Sequence, residues 1–171
     1  MKTKIDGFFE IKPLRLLRQT EDVEFHIVPT KEASSVDRVM HLPGAHSPGA
    51  VGEVARPWYY HPGQEDNILV LYGRRWVELY TKEHGLYEFE ITPHQVLLNG
   101  EMMCDEPAVL SWPTQVFHRV RSCNKEGSNS VNFALHKKNF DIHTNFSIYD
   151  LDTETGVFHL LREGHLDQPK T

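Results

Sequence analysis

Cysteine is scarce. Cys104 and Cys123 are the only two in 171 residues, and they lack CxxC spacing, which argues against a disulfide framework and for reduced thiols. Long apolar runs are missing as well. No stretch approaches the roughly 20 residues that a helical membrane span needs, and the leading "MKTKIDGFFEIKPLRLL" carries lysines without the apolar core of a signal peptide. A cytoplasmic location without a membrane partner is therefore expected, and the Asn145-Phe146-Ser147 sequon is expected to stay unmodified. Basic charge is also in deficit, with 18 Lys and Arg against 24 Asp and Glu and a net charge of −6. Apart from short pairs such as Arg74-Arg75 and Lys137-Lys138, the basic residues are scattered. Nothing in the charge therefore favours nucleic acid as a partner, and a small-molecule ligand is expected instead. The chain contains no GxGxxG, Walker, GxSxG or HExxH pattern, and no nucleotide cofactor is expected.

What the chain has in quantity is punctuation. Glycine and proline recur between runs of five to eight residues rich in Val, Ile, Leu, Phe and Tyr, the rhythm of an all-β domain. No repeat or linker divides it, so residues 1–171 are expected to form one domain. "LYEFEI" (86–91) places Tyr87, Phe89 and Ile91 on one face and Glu88 and Glu90 on the other, as a half-buried strand does. "NILVLYGRRWVELYT" reads as two strands joined at Gly73-Arg74-Arg75. Further strands are expected over 23–28, 36–42, 95–98, 108–112, 116–121 and 130–136, and "FSIYDLDTETGVFHLL" reads as a hairpin. "IKPLRLLRQ" is the one candidate helix. "LPGAHSPGAVG" (42–52) reads as a loop able to act as a rim or lid.

The chemistry is concentrated in two stretches, "RPWYYHPGQEDNILVLYG" (56–73) and "SWPTQVFHRV" (111–120). In the first, Tyr59, His61, Gln64, Glu65 and Asp66 lead straight into an apolar strand. In the second, alternation puts His118 on the face of Val116 and Val120, away from Arg119 and Arg121, so its imidazole points inward. Glu65 and Asp66 compete for the inward position, because a one-residue slip exchanges them. Trp58, Tyr60, Trp76 and Trp112 are read as packing or interface residues. Glu78 is read as solvated.

The two stretches resemble the paired motifs of the cupin superfamily over residues 56–136. The first motif frame is matched by Tyr59, His61, Asp66 and Gly73, the second by Pro113, Gln115 and His118. Two departures stand out: Tyr59 and Asp66 occupy positions where metal-binding cupins carry histidine and glutamate. Gln115 stands at a glycine position. The resemblance implies a jelly-roll (double-stranded β-helix) barrel with short extensions at both ends, and commonly a homodimer. It also implies a divalent transition metal (iron, manganese, nickel or zinc) on His61, Asp66 and His118, a set of two imidazoles and one carboxylate. Tyr59, Gln64 and Gln115 would line the substrate pocket, with Tyr59, His61 and His118 as catalytic candidates.

Three functions follow from the resemblance. The first in order is a metal-dependent oxygenase or isomerase. The second is a metal-free enzyme like the sugar-nucleotide epimerases and ketoisomerases of the superfamily, whose C-terminal strands "TNFSIYDLDTETG" resembles. There His61 would be the base, Tyr59 or His118 the acid, and Asp66 the group that orients an imidazole. The third is a non-catalytic ligand-binding domain.

Overall fold

A computed structural model of the chain describes residues 3–169. In chain order its strands are β1 (Lys4–Ile5), β2 (Phe9–Pro13), β3 (Arg15–Gln19), β4 (Glu24–Ile27), β5 (Ser35–His41), β6 (His46–Ser47), β7 (Trp58–Tyr60), β8 (Gln64–Gly73) and β9 (Arg75–Thr81). They continue as β10 (Gly85–Ile91), β11 (Val96–Leu98), β12 (Glu101–Cys104), β13 (Ala108–Trp112), β14 (Phe117–Ser122), β15 (Ser128–His136), β16 (Ile148–Leu151) and β17 (Phe158–Arg162). A single helical turn, α1 (Ile142–Asn145), precedes β16, and a 3₁₀ turn covers Gly164–Asp167. No helix among the described residues is long and apolar enough to cross a membrane.

Two large antiparallel sheets face each other, and β3 and β4 pair as a separate two-stranded sheet. One has the order β1-β2-β13-β8-β15-β5; the other runs β12-β11-β10-β9-β14-β7-β16-β17, with β6 added to β14. The pair makes the expected cupin-like, all-β fold, and since no ladder among the described residues joins the sheets, it is an open two-layer arrangement. The extensions widen it. β1 and β2 extend the first sheet beyond β13, while β16 and β17 extend the second beyond β7.

The two sheets pack on the alternating residues of their strands. Val77 and Leu79 of β9, Phe89 and Ile91 of β10, and Ile68 and Val70 of β8 are all buried in one cluster with Phe8, Phe9 and Ile11. A second cluster of Trp58, Tyr80, Phe117 and Leu151 lies on the other face of the second sheet. Arg119 caps it, with its guanidinium 4.1 Å from the Trp58 ring centre.

β8 and β9 were expected as neighbours in sequence, and they are, but they belong to different sheets. The chain crosses between layers at Gly73-Arg74, with Gly73 at φ 72°, a left-handed conformation that costs glycine little.

Two expectations are corrected here. "IKPLRLLRQ" is not helical: it forms β2 and β3, because Pro13 removes a helical N–H and Ile11 is buried by pairing opposite Leu110. Glu78 is not simply solvated, since both its oxygens accept from Arg119 (2.8 and 2.7 Å) and Oε2 accepts also from Arg56 at 2.9 Å.

Candidate functional site

The two motif halves meet because β7 and β14 pair, placing His118 opposite Tyr59. Just past β7, the main-chain carbonyl of His61 accepts the Gln115 N–H at 2.9 Å. Gln115 sits at the motif's glycine position and adopts φ 67°. That geometry turns the chain before His118 and leaves the Gln115 side chain exposed, outside the cavity lining. Its expected pocket role is therefore corrected. Across the cavity, β8 alternates so that Gln64, Asp66 and Ile68 line the wall, while Glu65 faces outward to Lys137 at 3.2 Å. Asp66 holds the inward position.

His61, Asp66 and His118 are 4, 3 and 4% exposed, and their ligand atoms lie within 4.8 Å of one another. Each imidazole faces a main-chain carbonyl through Nδ1: that of Asn145 for His61, and that of Val116 at 3.1 Å for His118. A carbonyl can only accept, so both Nδ1 atoms carry a proton, and Nε2 is the nitrogen that each ring turns to the cavity. Those two Nε2 atoms stand 3.6 and 3.9 Å from the same Asp66 oxygen, Oδ2. The other oxygen, Oδ1, accepts from Gln64 at 2.7 Å and Asn132 at 2.8 Å, and Asn145 in turn donates to Gln64 at 3.1 Å. Oδ2 has no hydrogen-bond partner among the described residues. A carboxylate oxygen between two ring nitrogens and away from water needs a proton or a cation shared among the three atoms. The donor set thus fits both acid–base work and a divalent metal.

Tyr59 lies beside the pair, its ring centre 5.9 Å from that of His61 and 5.8 Å from that of His118. Burial raises the Tyr59 pKa, against a smaller opposing effect of Ser47, so the phenol keeps its proton at neutral pH. His118 moves the other way. Burial, helped by neighbouring His61 and opposed by Asp66, lowers it to about 4.

A pH dependence of stability follows. The unfolded chain protonates its histidines near 6.5, while folded His118 stays neutral down to about 4. Stability is therefore complete above pH 6.5 and falls as the pH drops towards 4, by about 3 kcal/mol for His118. His41, lowered to about 4 by burial and by Arg75, acts in the same direction with less weight because its ring is partly exposed. Urea unfolding in chelator at pH 7.5, 6.0 and 5.0 is expected to show a steadily falling midpoint; an unchanged midpoint would contradict these charge states.

The cavity holding these groups has a volume of about 230 Å³. Its lining includes residues that sequence reasoning missed: His41, Arg75, Asn132 and Phe146, with Asn145 just behind them. Alternation could have found Arg75, which shares a face of β9 with Val77 and Leu79. Asn145 and Phe146 come from the C-terminal extension, far from both motifs. The 42–52 loop forms a rim: Gly49 to Gly52, with Tyr59, Ile148, Arg162 and Asp167, line a separate cavity that shares only Tyr59 with the first.

No protein-family model and no curated protein matches the chain. Solved structures do resemble it in fold. One is QdtA, a sugar 3,4-ketoisomerase from Thermoanaerobacterium thermosaccharolyticum in complex with TDP, at a TM-score of 0.54 and 10% identity, over 80% of this chain and 85% of that one. Another is a dTDP sugar isomerase from Desulfovibrio desulfuricans G20, at a TM-score of 0.54 and 15% identity, over 79% of this chain and 82% of that one. At such identities the likeness is one of fold.

Proposed function

We propose that the protein is an isomerase or epimerase that moves a proton beside a carbonyl group of a sugar or sugar nucleotide. The observation that carries this reading is the convergence of two imidazole Nε2 atoms on one carboxylate oxygen that is unpartnered among the described residues, next to a protonated phenol. His61 is the base. The imidazolium formed when it takes a proton lies between the Asn145 carbonyl at Nδ1 and Asp66 at Nε2, so both of its N–H groups have acceptors. His118, held neutral by burial, has no Nε2 proton to give. Tyr59 is therefore the acid that protonates the carbonyl oxygen as the C–H bond breaks, and reversing the two transfers on neighbouring atoms completes the isomerisation. The substrate class is carried over from the two structural neighbours, a sugar 3,4-ketoisomerase and a dTDP sugar isomerase.

The test is NMR of a panel of dTDP-linked and free keto and aldo sugars incubated with chelator-treated protein in D₂O. Deuterium appearing at the carbon beside the carbonyl is expected. No exchange with any of them, with or without metal, would overturn the reading.

A second reading is favoured by the same Asp66 oxygen. His61, Asp66 and His118 could hold a divalent metal, which would polarise a substrate oxygen as a Lewis acid. Exchange that disappears in chelator and returns with iron, manganese, nickel or zinc would select it.

A further inference from the structure

Arg75 is 2% exposed, and among the described residues it is the only lysine or arginine so deeply buried. The other arginines with ion pairs are closer to solvent: Arg119 and Arg56 grip Glu78, Arg162 grips Asp167, Arg121 meets Glu88 and Arg74 meets Glu90. Among the described residues Arg75 has only hydroxyls and a carbonyl. Its Nε donates to Ser128 Oγ at 2.9 Å, Nη1 to Ser130 Oγ at 2.5 Å, and Nη2 to the Ser128 carbonyl at 3.5 Å. Asp37 and Asp66 line the same cavity, but neither perturbs it, and burial alone lowers it, to about 10. A guanidinium has five N–H donors, so two remain unassigned. A buried charge without a counter-charge is costly, and its place in the wall of the substrate cavity gives that cost a use.

We infer that Arg75 receives the carboxylate of an acidic substrate whose reacting end lies against His61, Asp66 and His118. The inference rests on the proposed function for the position of that reacting end. A planar carboxylate matches two parallel N–H donors. A phosphate dianion fits less well, because Arg75 supplies one positive charge and the neighbouring imidazole, His41, reaches it only through Ser122 and Ser128. Length agrees too. Ser130, which holds the guanidinium, and Asn132, which holds Asp66, are successive inward positions on β15, roughly 7 Å apart. A sugar acid spans that distance and a two-carbon acid does not.

Calorimetric titration with D-glucuronate and D-galacturonate, beside D-glucose, D-galactose and glucose 6-phosphate, tests this without requiring turnover. The parent is expected to bind a uronate more tightly than its neutral hexose. Arg75→Met is expected to weaken uronate binding roughly 10- to 100-fold and to leave hexose binding unchanged. Arg75→Lys, which keeps the charge and loses the fork, is expected to fall between, and it serves alone if the Met variant does not fold by circular dichroism. Equal loss for acid and hexose would mark Arg75 as a structural tie and overturn the inference. So would preference for glucose 6-phosphate, or no preference for the acids. Uronate binding that depends on Arg75 without deuterium exchange would keep this inference and count against the proton-transfer reading. Exchange on neutral sugars that is indifferent to Arg75→Met would do the reverse.

Discussion

Replacing His61 by alanine is expected to lower kcat by about 10³-fold, within the range a positioned general base contributes, while changing KM little. The base vanishes, but the cavity wall, Arg75 and Tyr59 remain, so ground-state binding survives. Two further variants give this number meaning. Tyr59→Phe keeps the ring against His61 and His118 and removes only the hydroxyl; in proton transfer it is expected to cost about 10²-fold in kcat. Asp66→Asn keeps the shape of the side chain and removes the charge facing both Nε2 atoms. Steady-state kinetics at several pH values, with metal content measured on each variant, reads the result. A His61→Ala enzyme with parental kcat would remove His61 from the chemistry. If His61→Ala and Asp66→Asn instead lose bound metal while Tyr59→Phe retains it, the metal reading takes over.

A large effect on stability is expected at Gly73, where the chain crosses from one sheet to the other. A β-carbon added there would stand 2.2 Å from the main-chain oxygen of Gly127, at a residue whose φ is 72°. Backbone strain in the left-handed region costs about 1–2 kcal/mol, and relieving the overlap costs about 1–3 kcal/mol more. Gly73→Ala should therefore lose about 3 kcal/mol, read as a lower urea midpoint. Gly85→Ala is the control, because Gly85 also has positive φ (76°) but nothing lies within 4 Å of its added carbon; it should lose only the backbone share. Equal losses in the two variants would show that the crossing is not the constraint.

The strands were legible because alternation is a local signal. Phe89 and Ile91, spaced by two, are both fully buried, and 108–112 matches β13 residue for residue. The same signal turned His118 inward, and the spacing of the two motifs brought Tyr59, His61, Asp66 and His118 to one cavity. It failed over "IKPLRLLRQ", where apolar residues suit either period; the partner of β2, β13, lies almost a hundred residues away, and β3 pairs only with the neighbouring β4. It also failed for Gln115, since a position in a motif does not say which way a side chain leaves a turn.

The sequence by itself determined an all-β chain of alternating strands, and it marked the imidazoles and the carboxylate that face inward, because those properties repeat every two residues. Only the tertiary structure decided how these groups are used. Both Nδ1 protons are placed by carbonyls, one of them on Asn145, 84 residues from His61. The free Asp66 oxygen exists because Gln64 and Asn132 take the other, and among the described residues Arg75 lacks a counter-charge because β15 meets it with Ser128 and Ser130. Charge state and hydrogen-bond direction depend on which distant strands lie within about 3 Å, and that follows from sheet order rather than from any neighbouring residue in the chain.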